Sequence, residues 1–250
     1  MIMKDENDVS TNDAFISLED AERESLIADC LSSGGHYQAL LAPKCLSVSG
    51  RRYAGSKTPD KVRDKWSTHR DVIKYMSDRF GAYDLDAAAE ESNAVCEKFI
   101  DEKSNCLNRW WGKRKHIWLN PPYSHPLPFV MKTVQQMQHD NQIDILLPAD
   151  NSTAWFRIAQ MHAAEIIWIV GDVEMEYIGD DVDDFFIKSQ RSGRLAFLSG
   201  ETGKPVDNNN KGSVIFVMRK LKEGEKQQTH YVTISDICAS VKNKRKVKFK

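Results

Sequence analysis

Short apolar runs alternate with amphipathic stretches along most of this 250-residue chain. Runs rich in β-branched and aromatic residues predict buried strands at 116–119, 143–148, 165–170 and 213–218. Apolar residues recur at helical spacing between or before these runs and predict helices at 71–80, 129–138 and 155–162. Strands that alternate with helices are typical of an α/β protein, in which helices cover a sheet.

The strand at 116–119 runs directly into Asn120-Pro121-Pro122-Tyr123. Neither proline carries an N–H, so the strand cannot continue pairing, and Pro121 biases the backbone of Asn120 toward an extended conformation. In open α/β sheets, ligands bind at the carboxyl ends of the strands. We therefore predict a stiff loop at the ligand-binding edge of the sheet.

The chemistry of this loop suits an amino group on a planar heterocycle. The amide oxygen of Asn120 and the carbonyl of Pro121 are hydrogen-bond acceptors, and Tyr123 offers an aromatic face. Two acceptors beside a ring fit an exocyclic –NH2 on a base that has left its helix. The structural alternative is a proline-stiffened turn with a capping asparagine, and the hydrophobic strand before the loop favours the functional interpretation.

The segment 83–89 predicts a first strand that leads into a turn of small residues. Small residues let a ligand approach the backbone, and a carboxylate can accept hydrogen bonds from its charged or hydroxyl groups. Asp86 is the first candidate for that carboxylate and Asp84 the second, while a helix-capping aspartate is the plainer alternative.

Several motifs in order resemble the phage-type (Dam-like) DNA N6-adenine methyltransferase family. The resemblance covers residues 56–220 and rests on Trp66-Ser67-Thr68, Tyr83-Asp84-Leu85-Asp86-Ala87-Ala88, the segment 93–99 and Trp118-Leu119-Asn120-Pro121-Pro122-Tyr123. His69 stands where the family usually has proline. Each motif alone is weak evidence, and their order and spacing together are more specific.

The resemblance implies a Rossmann-like methyltransferase fold, with a mixed, mostly parallel sheet flanked by helices. It implies S-adenosylmethionine as methyl donor, double-stranded DNA as substrate and no metal. The implied catalytic residues are Asn120, Pro121, Pro122 and Tyr123. The implied cofactor-binding residues are Trp66, Thr68, Asp84, Asp86, Ala87, Asn105 and Asn120. A loop residue is the preferred interpretation of Asn105, and a core tryptophan is an equal alternative for Trp66.

The chain departs from the family pattern after the strand at 165–170. An insertion of about twenty residues, 173–192, precedes the family-like segment 193–197, and residues 172–184 hold seven acids and no base. Acidic side chains repel phosphate, so we interpret the insertion as a solvated loop or a protein contact. The expected DNA-contacting residues are Tyr123, Ser124, Gln190, Arg191, Arg194, Lys244 and Arg245.

Charge is unevenly distributed although the formal net charge is only −1. The first 29 residues carry nine acids and two bases, whereas residues 51–65 carry six bases and two acids. The last nine residues carry six bases and no acid, which suits either a solvated tail or sequence-independent DNA affinity. We predict three regions: an N-terminal extension and linker at 1–55, a methyltransferase domain at 56–220 and a basic C-terminal tail at 221–250.

No apolar run reaches the length of a membrane span, and no secretory signal is visible, so we expect a cytoplasmic protein, of a bacterial host if phage-encoded. The five cysteines lack zinc-site spacing. Two alternatives to DNA adenine methylation stay open. One is methylation of another amino group, a protein glutamine or an RNA adenine, and the other is an inactive DNA-binding relative. The sequence leaves the oligomeric state open.

Overall fold

The computed structural model describes residues 59–177, 185–200, 202–206 and 209–239. The predicted extension at 1–55, the tip of the acidic insertion at 178–184 and the basic end at 240–250 lie outside this part of the chain. The described helices are α1 Asp60–Arg63, α2 Arg70–Phe80, α3 Pro126–Met137, α4 Ala154–His162 and α5 at 234–239.

Within the described ranges, ten strands form one large and two small sheets. In chain order they are β1 Leu85–Asp86, β2 His116–Leu119, β3 Gln142–Pro148, β4 Ala163–Val170, β5 Asp172–Tyr177, β6 Phe185–Arg191, β7 Phe197–Leu198, β8 Pro205–Val206, β9 Ser213–Met218 and β10 Gln228–Thr233. The central sheet has the order β1-β2-β3-β9-β4-β10, and β9 is antiparallel to both of its neighbours. The fold is therefore a mixed α/β fold with a mostly parallel central sheet.

Both faces of the central sheet are buried because its strands alternate between two hydrophobic clusters. In β3, Ile143, Ile145 and Leu147 point to the cluster that α3 and α4 cover, whereas Leu146 points to the cluster that α2 covers. A two-residue side-chain period allows one strand to serve both layers. The near-continuous apolar runs in the sequence have this physical origin.

The parallel strands β1, β2, β3, β4 and β10 all end at the same edge of the sheet. The loop that begins at Asn120 follows β2, and the small sheet β5–β6 follows β4 after Gly171. The predicted position of the Asn120 loop at a carboxyl edge is thus confirmed. From β2 to β4 is three strand spacings, roughly 14 Å.

Three details differ from the sequence-based expectations. The described part of the insertion forms a two-stranded antiparallel ribbon, β5–β6, and not a loop. Helix α3 begins at Pro126, three residues earlier than predicted. Proline is tolerated there because the N–H groups of the first turn have no intrahelical partner, so its missing N–H breaks no hydrogen bond. The sheet continues past residue 220, since β10 pairs with β4 along Gln228–Thr233.

The base of the ribbon depends on two glycines that lie against each other's backbone. A Cβ on Gly193 would lie 2.2 Å from the carbonyl carbon of Val170 and 2.6 Å from the nitrogen of Gly171. A Cβ on Gly171 would lie 2.6 Å from the carbonyl oxygen of Arg191. Only residues without a side chain allow the two ends of the ribbon to meet this closely.

We expect Gly193→Ala to destabilise the protein by about 1–3 kcal/mol, since backbone atoms must move to admit the methyl group. Gly212→Ala is the matched control, because its Cβ would meet only the Ala149 methyl at 3.4 Å. Urea unfolding followed by circular dichroism measures both. Equal free energies of unfolding for the two variants would contradict this account of the ribbon base.

Candidate active site

A single hydrogen bond fixes the orientation of the Asn120 side chain. Its Nδ2 donates to the main-chain carbonyl of Trp66 at 3.1 Å. A carbonyl can only accept, so the amide nitrogen must be the atom on that side. The other end, Oδ1, is buried and has no hydrogen-bond partner among the described residues.

Asn120 lines a small cavity beside the β2 loop. The cavity holds about 180 Å³ of empty space, part of it open to solvent, and its lining residues are Arg63, Asp64, Trp66, Asn120, Pro121, Tyr123 and Phe197. In the described part of the chain, six buried side-chain nitrogen or oxygen atoms lack a partner. Three of them belong to residues of this lining: Arg63 Nε, Asn120 Oδ1 and the Tyr123 hydroxyl. Buried polar atoms are costly to leave unpaired, so their concentration here indicates a polar ligand.

Phe197 joins two of the lining residues into an aromatic wall. Its ring stacks on Trp66 with centroids 6.0 Å apart, and meets Tyr123 edge-on at 5.8 Å. The backbone supports this arrangement, because Ser67 and Leu198 exchange two hydrogen bonds of 2.9 Å. The three rings give the cavity an aromatic boundary.

The side chain of Tyr123 is partly exposed, but its hydroxyl oxygen is buried. Burial raises the pKa of the Tyr123 phenol well above its ordinary value. The phenol therefore stays protonated at neutral pH and can donate a hydrogen bond. The residue presents a ring and a donor in the same place.

A carboxylate holds the end of the loop in place. Asp64 accepts from the main-chain N–H of Ser124 at 3.1 Å and from its hydroxyl at 2.6 Å. The segment before Trp66 is thus tied to the residue after Tyr123. Ser124 was predicted to contact DNA, and it lies exposed at the rim with its hydroxyl donated to Asp64.

Asp86 ends β1 with a buried side chain, 2% exposed. Its two oxygens accept from the N–H groups of Ala88 at 3.3 Å and Val95 at 3.1 Å, so the carboxylate organises the loop after β1. Burial raises the pKa of Asp86 to about 6, against the opposing effect of these two hydrogen bonds. Asp86 pairs with Trp118 across the sheet, two residues before Asn120.

Two predicted cofactor residues have other partners in the structure. Asp84 precedes β1, where it accepts from the N–H of His116 at 3.0 Å and pairs with Lys115 at 3.6 Å. That position is the amino edge of the sheet, so the structure does not bring Asp84 to Asn120. Asn105 is exposed and caps a 3-10 turn, because its side-chain oxygen accepts from the N–H of Leu107.

Thr68 and Ala87 are both buried at the predicted cofactor side. The Thr68 hydroxyl has no partner among the described residues, and it lies two residues beyond the carbonyl that holds Asn120. Ala87 is fully buried, and its N–H donates to the carbonyl of Trp118. The turn after β1 is therefore tied closely to the strand that carries the Asn120 loop.

The described residues predicted to contact DNA lie at the same edge as Asn120. Gln190 and Arg191 are exposed on β6, opposite Val173 and Asp172. Arg194 is exposed just beyond the ribbon, where its Nε donates to the Ser192 hydroxyl. Lys244 and Arg245 lie outside the described residues.

Three residues of the cavity were missed as site residues by the sequence analysis: Arg63, Asp64 and Phe197. Arg63 and Asp64 belong to the basic stretch at 51–65, which the sequence characterises only by charge. Phe197 closes the segment 193–197, whose family-like pattern was the one available signal. The described residues contain no group of three or more His, Cys, Asp or Glu side chains placed to hold a metal ion. None of the described helices is long and apolar enough to cross a membrane.

The fold and this site define an α/β protein with a buried, unpaired hydrogen-bond acceptor in a loop at the carboxyl edge of its sheet. A family model described as DNA N-6-adenine-methyltransferase (Dam) matches residues 55–249. A protein of Escherichia phage T1 named DNA N-6-adenine-methyltransferase is 60% identical over 244 residues, which cover 97% of each chain. A protein of the same name from Haemophilus phage HP1 (strain HP1c1) is 30% identical over 184 residues, covering 73% of this chain and 94% of the relative.

The chain belongs to the DNA N-6-adenine-methyltransferase (Dam) family. The family resemblance stated from the sequence is thereby confirmed.

The raised pKa of Asp86 predicts a pH dependence of stability. The folded protein binds this proton more tightly than the unfolded chain, so Asp86 makes stability fall as pH rises from about 4 to about 6, and adds no slope above that. At roughly 1.4 kcal/mol per pKa unit, the contribution is about 3 kcal/mol. Asp86→Asn removes this pH dependence. As pH rises from about 4 to about 6, the free energy of unfolding of the variant should therefore rise relative to that of the wild type by about the same amount.

Urea unfolding of both proteins at several pH values checks this prediction. The variant also loses one of two acceptor oxygens, a cost that does not depend on pH. Stability curves that run parallel between pH 4 and pH 6 would contradict the raised pKa.

Proposed function

We propose that this protein transfers a methyl group from S-adenosylmethionine to the N6 amino group of adenine in double-stranded DNA, as its family membership indicates. The observation that carries the proposal is the Asn120 amide. Its nitrogen is held by Trp66, and its oxygen is left buried and unpaired beside a cavity. An acceptor oriented in this way requires a donor, and an amino group supplies one.

The acceptor explains how a weak nucleophile becomes reactive. The lone pair of the adenine amine is delocalised into the ring. When Asn120 Oδ1 and the Pro121 carbonyl accept from the two amine hydrogens, they favour a tetrahedral nitrogen and the positive charge that develops on it. Acceptors already fixed in position stabilise this charge without reorganising. The bond between N6 and the methyl carbon would form as the bond between that carbon and the sulfonium sulfur breaks, which leaves S-adenosylhomocysteine, and N6 would then release one proton to solvent. No covalent enzyme intermediate is required.

The aromatic wall supports a base that has rotated out of the helix. An amino group inside a duplex cannot reach a buried acceptor, so the nucleotide must be extruded. Contact with Tyr123 offsets part of the unstacking cost of a few kcal/mol. The Asp64–Ser124 hydrogen bonds keep this ring beside Asn120, which supplies the orientation that methyl transfer needs.

The residues around the first strand fit S-adenosylmethionine, which supplies an electrophilic methyl group when bound. The turn 87–89 is built from alanines and lies beside the Asn120 loop, and the unpaired Thr68 hydroxyl is available to a polar ligand. Asp86 would attract the ammonium group, directly or through water, from its position under this turn. We assign Trp66, Thr68, Asp86 and Ala87 to the cofactor side of the site and leave Asp84 and Asn105 out.

Within the α/β class, the strand order supports a Rossmann-like methyltransferase fold. The sheet is parallel apart from β9, and β1 and β2 end side by side, where a cofactor and a base can meet.

Exposed polar and basic residues at this edge suit DNA phosphates. Ser124, Gln190, Arg191 and Arg194 border the Asn120 loop or the ribbon, and Lys244 and Arg245 would add sequence-independent affinity from the basic end of the chain. Such contacts position the duplex and weaken as salt rises.

We expect Asn120→Ala to lower turnover by about 100-fold or more, the usual cost of removing one preorganised hydrogen-bonding group. Asn120→Asp keeps an acceptor oxygen but loses the donor to Trp66, so its turnover should fall between alanine and wild type. Transfer of tritiated methyl groups to unmethylated DNA measures the rates. Asn108→Ala, an exposed asparagine outside the cavity, is the control.

Wild-type turnover in Asn120→Ala would overturn the site assignment. Calorimetry of S-adenosylmethionine binding distinguishes an active methyltransferase from an inactive DNA-binding relative, because the inactive relative is expected not to bind the cofactor. Digestion of the product identifies the acceptor: N6-methyladenine supports the proposal, and methylated glutamine or RNA supports another methyltransferase.

Tyr123 gives a second test, because its ring and its hydroxyl can be removed separately. Tyr123→Ala removes both, and we expect weaker capture of the base and a turnover at least about 10-fold lower, from lost stacking of about 1–3 kcal/mol. Tyr123→Phe keeps the ring, so its turnover should stay close to that of the wild type. Equal defects in the two variants would assign the whole effect to the hydroxyl and contradict a role for the ring.

A further inference from the structure

Arg63 carries an unpaired donor into the cavity. It ends α1 and lines the cavity together with Asn120. One terminal nitrogen of its guanidinium pairs with Asp60, whereas Nε is buried and has no hydrogen-bond partner among the described residues. A guanidinium nitrogen can donate but not accept. The cavity therefore contains one unpaired acceptor, Asn120 Oδ1, and one unpaired, permanently charged donor.

This pair of atoms is complementary to an amino group next to a ring nitrogen that has a free lone pair. The amino group donates to Asn120, and the ring nitrogen accepts from Arg63. Adenine offers this pattern twice, because its amino group lies between N1, which is bonded to the same carbon, and N7, on the other side of the amine. Guanine carries an oxygen on the corresponding carbon and has its amino group elsewhere on the ring, and thymine has no amino group. Cytosine shares the pattern through its amino group and N3, so the pair of atoms selects against guanine and thymine.

We propose that Arg63 is a specificity-determining residue that donates its Nε–H to one of the ring nitrogens on either side of the amino group of the target adenine. The inference rests on the proposed methylation of adenine and extends it from the amino group to the ring. A base without that ring nitrogen leaves the Arg63 donor buried and unpaired, and such losses discriminate strongly. Tyr123 supplies the only other unpaired donor among the described lining residues, so the test must separate the two.

A phosphate contact is the competing role for an arginine at this rim. It predicts a different result, because a phosphate contact changes affinity for every sequence and reduces the salt dependence of binding. It predicts no change in the response to altered ring atoms.

The test uses DNA duplexes whose target adenine is replaced by 7-deazaadenine or by 1-deazaadenine. Each analogue keeps the amino group and replaces one flanking nitrogen with CH. For the full-length wild-type enzyme we expect one of the two analogues to lower kcat/KM by about 10-fold or more, the cost of losing a hydrogen bond to a charged group. The other analogue reports effects unrelated to this bond.

In Arg63→Met, kcat/KM for adenine should fall by a similar factor, and the sensitive analogue should become as good a substrate as adenine. Arg63→Lys keeps the charge but has no Nε–H, and should show the same loss of discrimination. This variant also covers the case in which the methionine variant folds poorly. Arg70→Met, an exposed arginine at the start of α2, should retain the wild-type pattern.

Three results would overturn the inference. They are unchanged discrimination in both Arg63 variants, wild-type indifference to both analogues, and loss of discrimination in Tyr123→Phe but not in Arg63→Met. A reduced salt slope with unchanged analogue response would assign Arg63 to a phosphate. A wild-type enzyme that methylates no adenine at all would instead refute the proposed function.

Discussion

The hydrogen bond from the Asn120 amide to the Trp66 carbonyl is the constraint on which the site depends. It joins two segments 54 residues apart and decides which end of the amide faces the cavity. Its two ends are held independently. The prolines stiffen the backbone after Asn120, and the Ser67–Leu198 bridge holds the segment that carries Trp66. An acceptor built in this way is in place before any substrate arrives, which is how preorganised electrostatic stabilisation operates.

The central sheet places the partners of this acceptor at one edge. Because its five parallel strands end together, the turn after β1, the Asn120 loop and the ribbon after β4 share a surface. The reversed strand β9 lies between β3 and β4 and separates the Asn120 side of this edge from the ribbon side. In the proposed function, a methyl donor and a base would meet between the turn after β1 and the Asn120 loop, and the duplex would lie along the same edge.

Much of the fold was predictable because it is encoded locally. The apolar runs became β2, β3, β4 and β9, and the helical periodicities became α2, α3 and α4 with shifts of a few residues at their ends. The positions of Asn120 and Tyr123 at the carboxyl edge of the sheet were predictable because a strand that ends in two prolines must form a loop there. Phe197 and Asp64 were not, since their importance lies only in which residues they contact.

The sequence by itself determined the α/β alternation, the stiff loop after β2, the acidic insertion and the family resemblance, because each is carried by the order and spacing of neighbouring residues. Only the tertiary structure decided that Asp84 lies at the edge opposite to Asp86, that the insertion forms a ribbon, and that Arg63 reaches the cavity. Those outcomes depend on strand register and on contacts between residues far apart in the chain. No local pattern specifies them, since the same residue types would suit an exposed connector equally well.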